Sequence, residues 1–82
     1  MLMAPAQSRG ARGLLGISQS DLAEASGVSL RTIQHFELGQ RQPIPATLDA
    51  MQRALMAAGI AFIQENGGGP GVRLAKRKGK RK

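Results

Sequence analysis

The sequence has no cysteine and only one histidine among its 82 residues. Without cysteine, disulfides, thiolate metal sites and a cysteine nucleophile are excluded, and one histidine leaves few ways to assemble a zinc site. The sequence therefore predicts neither a metal centre nor another cofactor. At this length we expect one domain with a limited core, which argues against a multi-domain enzyme.

Long apolar runs are also missing. No segment approaches the roughly 20 apolar residues of a membrane-spanning helix. The N-terminal stretch MLMAPAQSRG lacks the continuous apolar segment of a signal peptide. We therefore expect a soluble, cytoplasmic protein that has no membrane partner.

Acidic residues are few, and the basic residues are unevenly distributed. Residues 1–72 carry as many acidic as basic side chains, so the net charge of +7 falls within residues 73–82. Such a segment cannot bury apolar surface and is expected to be disordered when free. We interpret it as a nonspecific phosphate-binding tail, the alternative being a segment that only improves solubility. Its basic residues are Arg73, Lys76, Arg77, Lys78, Lys80, Arg81 and Lys82.

Helix signals divide most of the remaining chain. A first helix is predicted from about Pro5 to Leu15, weakened by two glycines. Ser18 and Asp21 have the spacing of a capping box, which predicts a second helix that ends at Gly27. Ser29 is the expected cap of a third helix.

The third helix is predicted to bury Ile33 and Phe36 and to end at Gly39. The proline-containing loop QRQPIP follows, and Pro45 is placed near the first turn of a fourth helix that ends at Gly59. The apolar residues of that helix recur at helical spacing and are assigned to the core: Leu48, Met51 and Leu55.

Two short apolar segments follow the fourth helix. IAFI (60–63) and GVRL (71–74) are separated by a glycine-rich stretch, which predicts a small β-hairpin. The glycines are not followed by the lysine and helix of a phosphate loop, so we interpret them as the hairpin turn. The predicted organisation is a domain at 5–59, a hairpin extension at 60–74 and a basic tail at 75–82.

Polar residues of the third helix lie opposite its apolar positions. Arg31, Gln34 and His35 are predicted on the outer face, where arginine could pair with guanine and glutamine with adenine in the major groove of DNA. The alternative is an ordinary solvated helix face. A catalytic role for His35 is disfavoured because no nucleophile or paired carboxylate can be placed beside it, so we do not expect an enzyme.

At these residues the sequence resembles the helix-turn-helix family of the lambda repressor and Cro type, also called XRE-like regulators. The resemblance covers roughly 9–59 and rests on SQSDLA, on the AxxxG spacing from Ala23 to Gly27, on Val28 and Ile33, and on FELGQRQP. It implies a mainly α, compact domain of four to five helices. Two positions depart from the family pattern, namely Ser26, where a larger apolar residue is frequent, and Ile44, where a capping serine is common.

The resemblance also implies roles for particular residues. Arg12 and Glu37 match the positions of an ion pair between the first and third helices, and Gln19 matches a phosphate contact. The expected DNA-binding set is Gln19, Ser29, Leu30, Arg31, Thr32, Gln34, His35 and Arg41.

Two functions follow from the sequence as expectations. The first is a sequence-specific transcriptional regulator, most simply a repressor, that binds a double-stranded DNA operator as a homodimer and reads the major groove with residues 29–38. The alternative is an antitoxin-like module whose helix-turn-helix core also binds DNA while its C-terminal region binds a protein partner.

Overall fold

A computed structural model of the chain describes residues 2–64 and 67–75. In these ranges four helices precede two strands: α1 (Pro5–Leu15), α2 (Gln19–Ser26), α3 (Leu30–Glu37), α4 (Pro45–Ala57), β1 (Ile60–Ile63) and β2 (Gly71–Leu74). The predicted mainly helical fold with a C-terminal hairpin is confirmed. None of these helices is long and apolar enough to cross a membrane.

The two central helices are capped at their N-termini by hydrogen bonds between residues three apart in the sequence. The Asp21 N–H donates to Ser18 Oγ over 2.9 Å, and the Ser18 N–H donates to the Asp21 carboxylate over 3.0 Å, which completes the predicted capping box of α2. Ser29 Oγ likewise accepts from the Thr32 N–H at 3.1 Å and caps α3. Between these helices Gly27 has a φ of 78°, a left-handed conformation that suits glycine.

The outer helices begin without a side-chain cap from the residue that precedes them. Ile44 offers no hydrogen-bonding group to α4, whose first residue is Pro45. Proline suits that position because its φ is already helical and it has no N–H to satisfy. The departure of Ile44 from the family pattern is therefore accommodated at the start of α4.

Apolar side chains from all four helices meet in one core. Ile33 and Phe36 of α3 are fully buried, as predicted, and Ala23 and Val28 pack against the core beside them. Met3, which precedes α1, is also buried, a contribution that no periodic pattern indicated. The other buried apolar residues are Ala11, Leu22, Leu48, Met51, Leu55 and Ile60.

The two strands form an antiparallel hairpin that packs on α1. Ile60 pairs with Leu74 at one end, and Ile63 pairs with Gly71 at the other. Gly10 allows the close approach, because a Cβ atom there would lie 3.2 Å from Val72 Cγ2. The glycine that weakens α1 in isolation thus permits its contact with the hairpin.

Gln7 fastens the hairpin to α1 by hydrogen bonds. Its buried amide donates through Nε2 to the carbonyls of Gly71, at 3.0 Å, and Ile63, at 3.4 Å. Its Oε1 accepts from the Ala4 N–H at 2.8 Å. One side chain therefore satisfies backbone groups at the start of α1 and at the loop end of the hairpin.

Candidate nucleic-acid interface

One face of α3 is packed into the core and the opposite face is open to solvent. The buried side chains of Ile33 and Phe36 anchor the helix in the core. Arg31 and Gln34 are exposed, and His35 is half-buried. The structure thus places these three polar side chains on a helix whose orientation is set by core packing.

The loop after α3 brings a second arginine to this face. Arg41 lines a groove of about 230 Å³ together with Arg31, Thr32 and His35. It also borders a groove of about 440 Å³ that runs between the α2–α3 turn and the start of α4. Two arginines, one from α3 and one from the loop, therefore line a common groove.

The N-terminal residues of α3 differ in how much they are already engaged. Ser29 Oγ donates to Thr32 Oγ1 over 2.8 Å while it accepts from the Thr32 N–H. Leu30 carries no polar group and is exposed at the edge of the helix. Ser29 and Thr32 thus first serve to cap α3, and Arg31 and Gln34 are the polar side chains that project freely from it.

Behind this face, Glu37 is 2% exposed and forms an ion pair with Arg12 of α1. Arg12 Nη2 lies 2.6 Å from Oε1 of Glu37, and Arg12 Nε lies 3.0 Å from Oε2. This two-point geometry fixes the guanidinium against the carboxylate. Ser8 Oγ donates to Oε2 at 2.5 Å, so α1 supplies three of the hydrogen bonds that reach this carboxylate.

A family model described as helix-turn-helix matches residues 9–55, more than half of the chain. The chain belongs to the XRE/lambda repressor-type helix-turn-helix family. No curated protein matches it. The matched range contains α2 and α3, most of α1 and most of α4, whereas the hairpin lies beyond it. Membership identifies the chain as a DNA-binding helix-turn-helix regulator.

In this helix-turn-helix chain, the side chain of Gln19 at the start of α2 forms a hydrogen bond with another residue of the protein, Glu37. Gln19 Nε2 donates to Oε1 of Glu37 over 3.1 Å. Sequence reasoning linked Gln19 to phosphate and Glu37 to Arg12, and did not connect the two. The i, i+4 spacing of Ser8 and Arg12 was the available signal that Ser8 also reaches the same carboxylate.

The surroundings of Glu37 determine its charge state. Burial by itself would raise the pKa of Glu37, but the hydrogen bonds from Arg12, Ser8 and Gln19 outweigh it and hold the pKa below its ordinary range. The pKa of Arg12 is raised, chiefly by its hydrogen bond to Glu37. Both groups therefore remain charged at neutral pH.

The basic segment of the helix-turn-helix chain falls largely beyond the structure. Arg73 lies in β2 with its side chain exposed, as predicted for the segment GVRL, so it is not part of a disordered tail although it was grouped with the basic residues of that tail. Its backbone is held by pairing with Ala61 in β1. The other six basic residues lie outside the described residues: Lys76, Arg77, Lys78, Lys80, Arg81 and Lys82.

Proposed function

We propose that the chain is a transcriptional repressor without enzymatic activity that binds double-stranded DNA sequence-specifically by inserting α3 into the major groove. The observation that carries the proposal is the fixed helix α3, which buries Ile33 and Phe36 and exposes Arg31 and Gln34. Base edges can be read only by side chains whose positions are defined, and core packing defines these.

The exposed side chains have complementary partners on base edges. A guanidinium such as that of Arg31 can donate to both O6 and N7 of guanine, and the amide of Gln34 can pair with N6 and N7 of adenine. Leu30 offers an apolar surface to a thymine methyl group. His35 lines the same groove as Arg31 and Arg41 and completes the proposed reading surface.

We propose that the residues around this surface contact the sugar-phosphate backbone of the DNA. Arg41 lies in the loop beside α3 and lines both grooves, in which we place the DNA backbone. Gln19, Ser29 and Thr32 lie at the starts of α2 and α3, where helix N-termini favour anions. These contacts would position the chain on the duplex without selecting a sequence.

A homodimer is part of the proposal because one short helix reads only a few base pairs, and a two-fold operator doubles the recognised length. The hairpin is the proposed pairing surface. In the part of the chain that the structure describes, each strand pairs only with the other, and Ile63 and Leu74 are 40% and 54% exposed. Exposed strand edges are prone to pair with another chain.

Selection of binding sites from random duplexes by the intact chain tests the proposal. We expect an enriched motif of two half-sites related by two-fold symmetry, bound by two chains. Arg31→Ala should weaken binding to that motif about 10- to 100-fold and relax the preference at one base pair of each half-site.

Arg53→Ala is the matched control, because it removes an equal charge from an exposed position on α4, where Arg53 pairs with Asp49. We expect that variant to retain the selected motif. Failure to enrich any motif, or enrichment of the same motif by a folded Arg31→Ala protein, would contradict the proposed reading by α3.

A further inference from the structure

The hydrogen bonds of the hairpin determine which of its backbone groups face away from it. The Ala75 N–H donates to the Gly59 carbonyl over 2.7 Å, so these two residues form a hydrogen-bonded pair. Hydrogen-bonded and non-hydrogen-bonded pairs alternate along an antiparallel ladder. In the register of the hairpin, the next hydrogen-bonded pair is therefore Ala61 with Arg73.

The residues between the hydrogen-bonded pairs point their backbone N–H and C=O groups outward. On β1 these residues are Ile60 and Phe62, and on β2 they are Val72 and Leu74. Among the described residues, the outward backbone groups make no hydrogen bond. The hairpin thus has two open edges, each with the donors and acceptors that a further strand would pair with.

The β2 edge carries features that oppose pairing. Pro70, directly before β2, has no N–H, and Arg73 carries a charge on an exposed side chain. Proline and charged side chains are two of the means by which proteins protect a strand edge. Antiparallel pairing of two copies around Arg73 would also place like charges opposite each other, which is destabilising.

The β1 edge has none of these features. Its sequence IAFI contains no proline and no charged residue, and three of its four residues are β-branched or aromatic, which favours strands. Phe62 packs against the core, so the alternation of side chains along a strand places Ala61 and Ile63 on the opposite, outer face. β1 is therefore the edge of the hairpin that is suited to pairing with another chain.

We propose that two copies of the chain pair antiparallel through β1, around a two-fold axis at Ala61, and form one four-stranded sheet in the order β2, β1, β1, β2. The inference rests on the proposed function, from which it takes the homodimer, and it assigns the contact to one strand edge and one register. A two-stranded hairpin is marginal on its own, so a wider sheet also stabilises the extension.

A second copy of β1 complements this edge. The axis at Ala61 brings Ile60 of one copy opposite Phe62 of the other, twice, so every outward N–H and C=O group of both β1 strands gains a partner. The two Ala61 residues face each other as a non-hydrogen-bonded pair, in which side chains approach most closely and a small side chain fits. Arg73 lies in the outer strands of the sheet, so the two arginines are separated by both copies of β1.

Introduced cysteines test both the strand and the register, because the chain contains no cysteine of its own. Opposite residues of a non-hydrogen-bonded pair have Cα atoms roughly 4.5 Å apart, within the range of about 4.4 to 6.8 Å that a disulfide spans. Under mild oxidation, full-length Ala61→Cys should form a covalent dimer about 10-fold faster or more than Arg73→Cys at the same protein concentration, because pairing raises the effective concentration of its thiols.

Arg73→Cys is the matched control, because residue 73 lies opposite Ala61 in the hairpin and on the same face, but in β2. It also removes the charge that opposes pairing through β2, which makes the comparison stringent. Equal rates, or faster cross-linking of Arg73→Cys, would overturn the inference.

Ala61→Glu tests the contact without oxidation. Within one chain the new carboxylate lies opposite Arg73, a favourable cross-strand pair that supports the hairpin. Across the axis two carboxylates face each other, so the Kd of the dimer, measured by analytical ultracentrifugation, should rise about 10-fold. Ala57→Glu makes the same change at an exposed position of α4 and should leave the Kd unaltered. Equal rises in the two variants would overturn the inference.

The outcomes separate this inference from the proposed function. If the unaltered chain binds its selected duplex as a single copy and stays monomeric in solution, the homodimer of the proposed function fails and the β1 edge is left to another protein. If two copies bind and Ala61→Cys cross-links no faster than Arg73→Cys, only the assignment to β1 fails.

Discussion

Glu37 is a carboxylate at the C-terminal end of a helix, where the helix dipole disfavours negative charge. Cationic side chains from α1 offset this. Arg12 contacts the carboxylate directly, and Arg9 Nη1 donates to the main-chain carbonyl of the same residue. The terminus of α3 is thus stabilised from a neighbouring helix, which makes the position of α3 dependent on α1.

Removing one member of the Arg12–Glu37 pair should cost more stability than removing both. Glu37→Met leaves a largely buried guanidinium without its partner and should lower the free energy of unfolding by about 3 kcal/mol. Arg12→Met/Glu37→Met strands no charge and should lose clearly less. Urea unfolding of Arg12→Met, Glu37→Met and the double variant gives the coupling free energy between the two side chains. If the losses of the two single variants simply add up in the double variant, the pair makes no joint contribution to stability.

The same pair predicts a pH dependence of stability. Because the pKa of Glu37 is lower in the folded chain than in the unfolded chain, the stabilisation is complete above the pH at which an unfolded glutamate titrates. It is lost as the pH falls through the folded pKa. Unfolding midpoints measured from neutral to acidic pH should therefore fall less steeply in Arg12→Met/Glu37→Met than in the unaltered chain. If the unfolding midpoints of the two proteins fall equally steeply with pH, the pH dependence does not come from the Arg12–Glu37 pair.

At the scale of elements, the two glycines inside α1 have different surroundings. A Cβ at Gly13 would meet nothing within 4 Å, whereas one at Gly10 would press on Val72. Glycine inside a helix costs about 0.5 to 1 kcal/mol relative to alanine, so Gly13→Ala should raise the free energy of unfolding by about that amount. Gly10→Ala should raise the free energy of unfolding by a smaller amount, because its Cβ presses on Val72, and urea unfolding of both variants measures the difference.

The control for this comparison is Val72→Ala. In that background the contact with Val72 Cγ2 is absent, so Gly10→Ala and Gly13→Ala should have similar effects. If Gly10→Ala is as stabilising as Gly13→Ala in the unaltered chain, the hairpin does not pack on α1 as closely as described.

The sequence was sufficient to predict the elements because each carries its own local signals. Ser18, Ser29 and Pro45 mark helix starts, and the positive φ of Gly27 follows from the turn that it makes. The outward positions of Arg31 and Gln34 followed from helical periodicity, once Ile33 and Phe36 were assigned to the core.

Contacts between distant residues could not be predicted in the same way. The bond between Gln19 and Glu37 depends on how α2 and α3 cross, and a polar residue at a helix start gives no indication of an internal partner. Gln7 is similar, because its partner Gly71 lies 64 residues away and the sequence between them carries no matching pattern. Family resemblance supplied the Arg12–Glu37 pair but neither of these contacts.

For the molecule as a whole, the described part separates the proposed DNA-binding face from a C-terminal hairpin. The hairpin packs against α1 and α4, and α3 with the loop after it carries the proposed DNA contacts. Ala75, which follows β2, donates its N–H to the Gly59 carbonyl over 2.7 Å, and the other six basic residues of the C-terminal segment follow it in the sequence. We propose that this segment adds affinity for phosphates without choosing sequence; a C-terminal protein partner stays the alternative prediction.

Deletion of residues 76–82 tests that proposal and leaves the Ala75 hydrogen bond in place. Binding to selected and unrelated duplexes should weaken by similar factors, because contacts between cationic side chains and phosphates carry no sequence information. The slope of log affinity against log salt should fall by roughly 0.9 for each phosphate that the shortened chain no longer neutralises. An unchanged slope would indicate that the segment leaves DNA alone and serves solubility or a protein partner.

The bond from Gln7 to Gly71 also constrains the order in which the chain can acquire its structure during synthesis. Gln7 is synthesised 56 residues before Ile63 and 64 residues before Gly71, whose carbonyls accept from its amide. Until the chain has reached β2, the α1 surface under the hairpin stays open to water, whereas the residues that cap and turn α2 and α3 have already been synthesised. Closing so large a loop is slow compared with forming local contacts. We therefore expect the hairpin to dock on α1 after the local contacts of α2 and α3 have formed, and a chain truncated before β2 would leave the amide of Gln7 without its Gly71 acceptor.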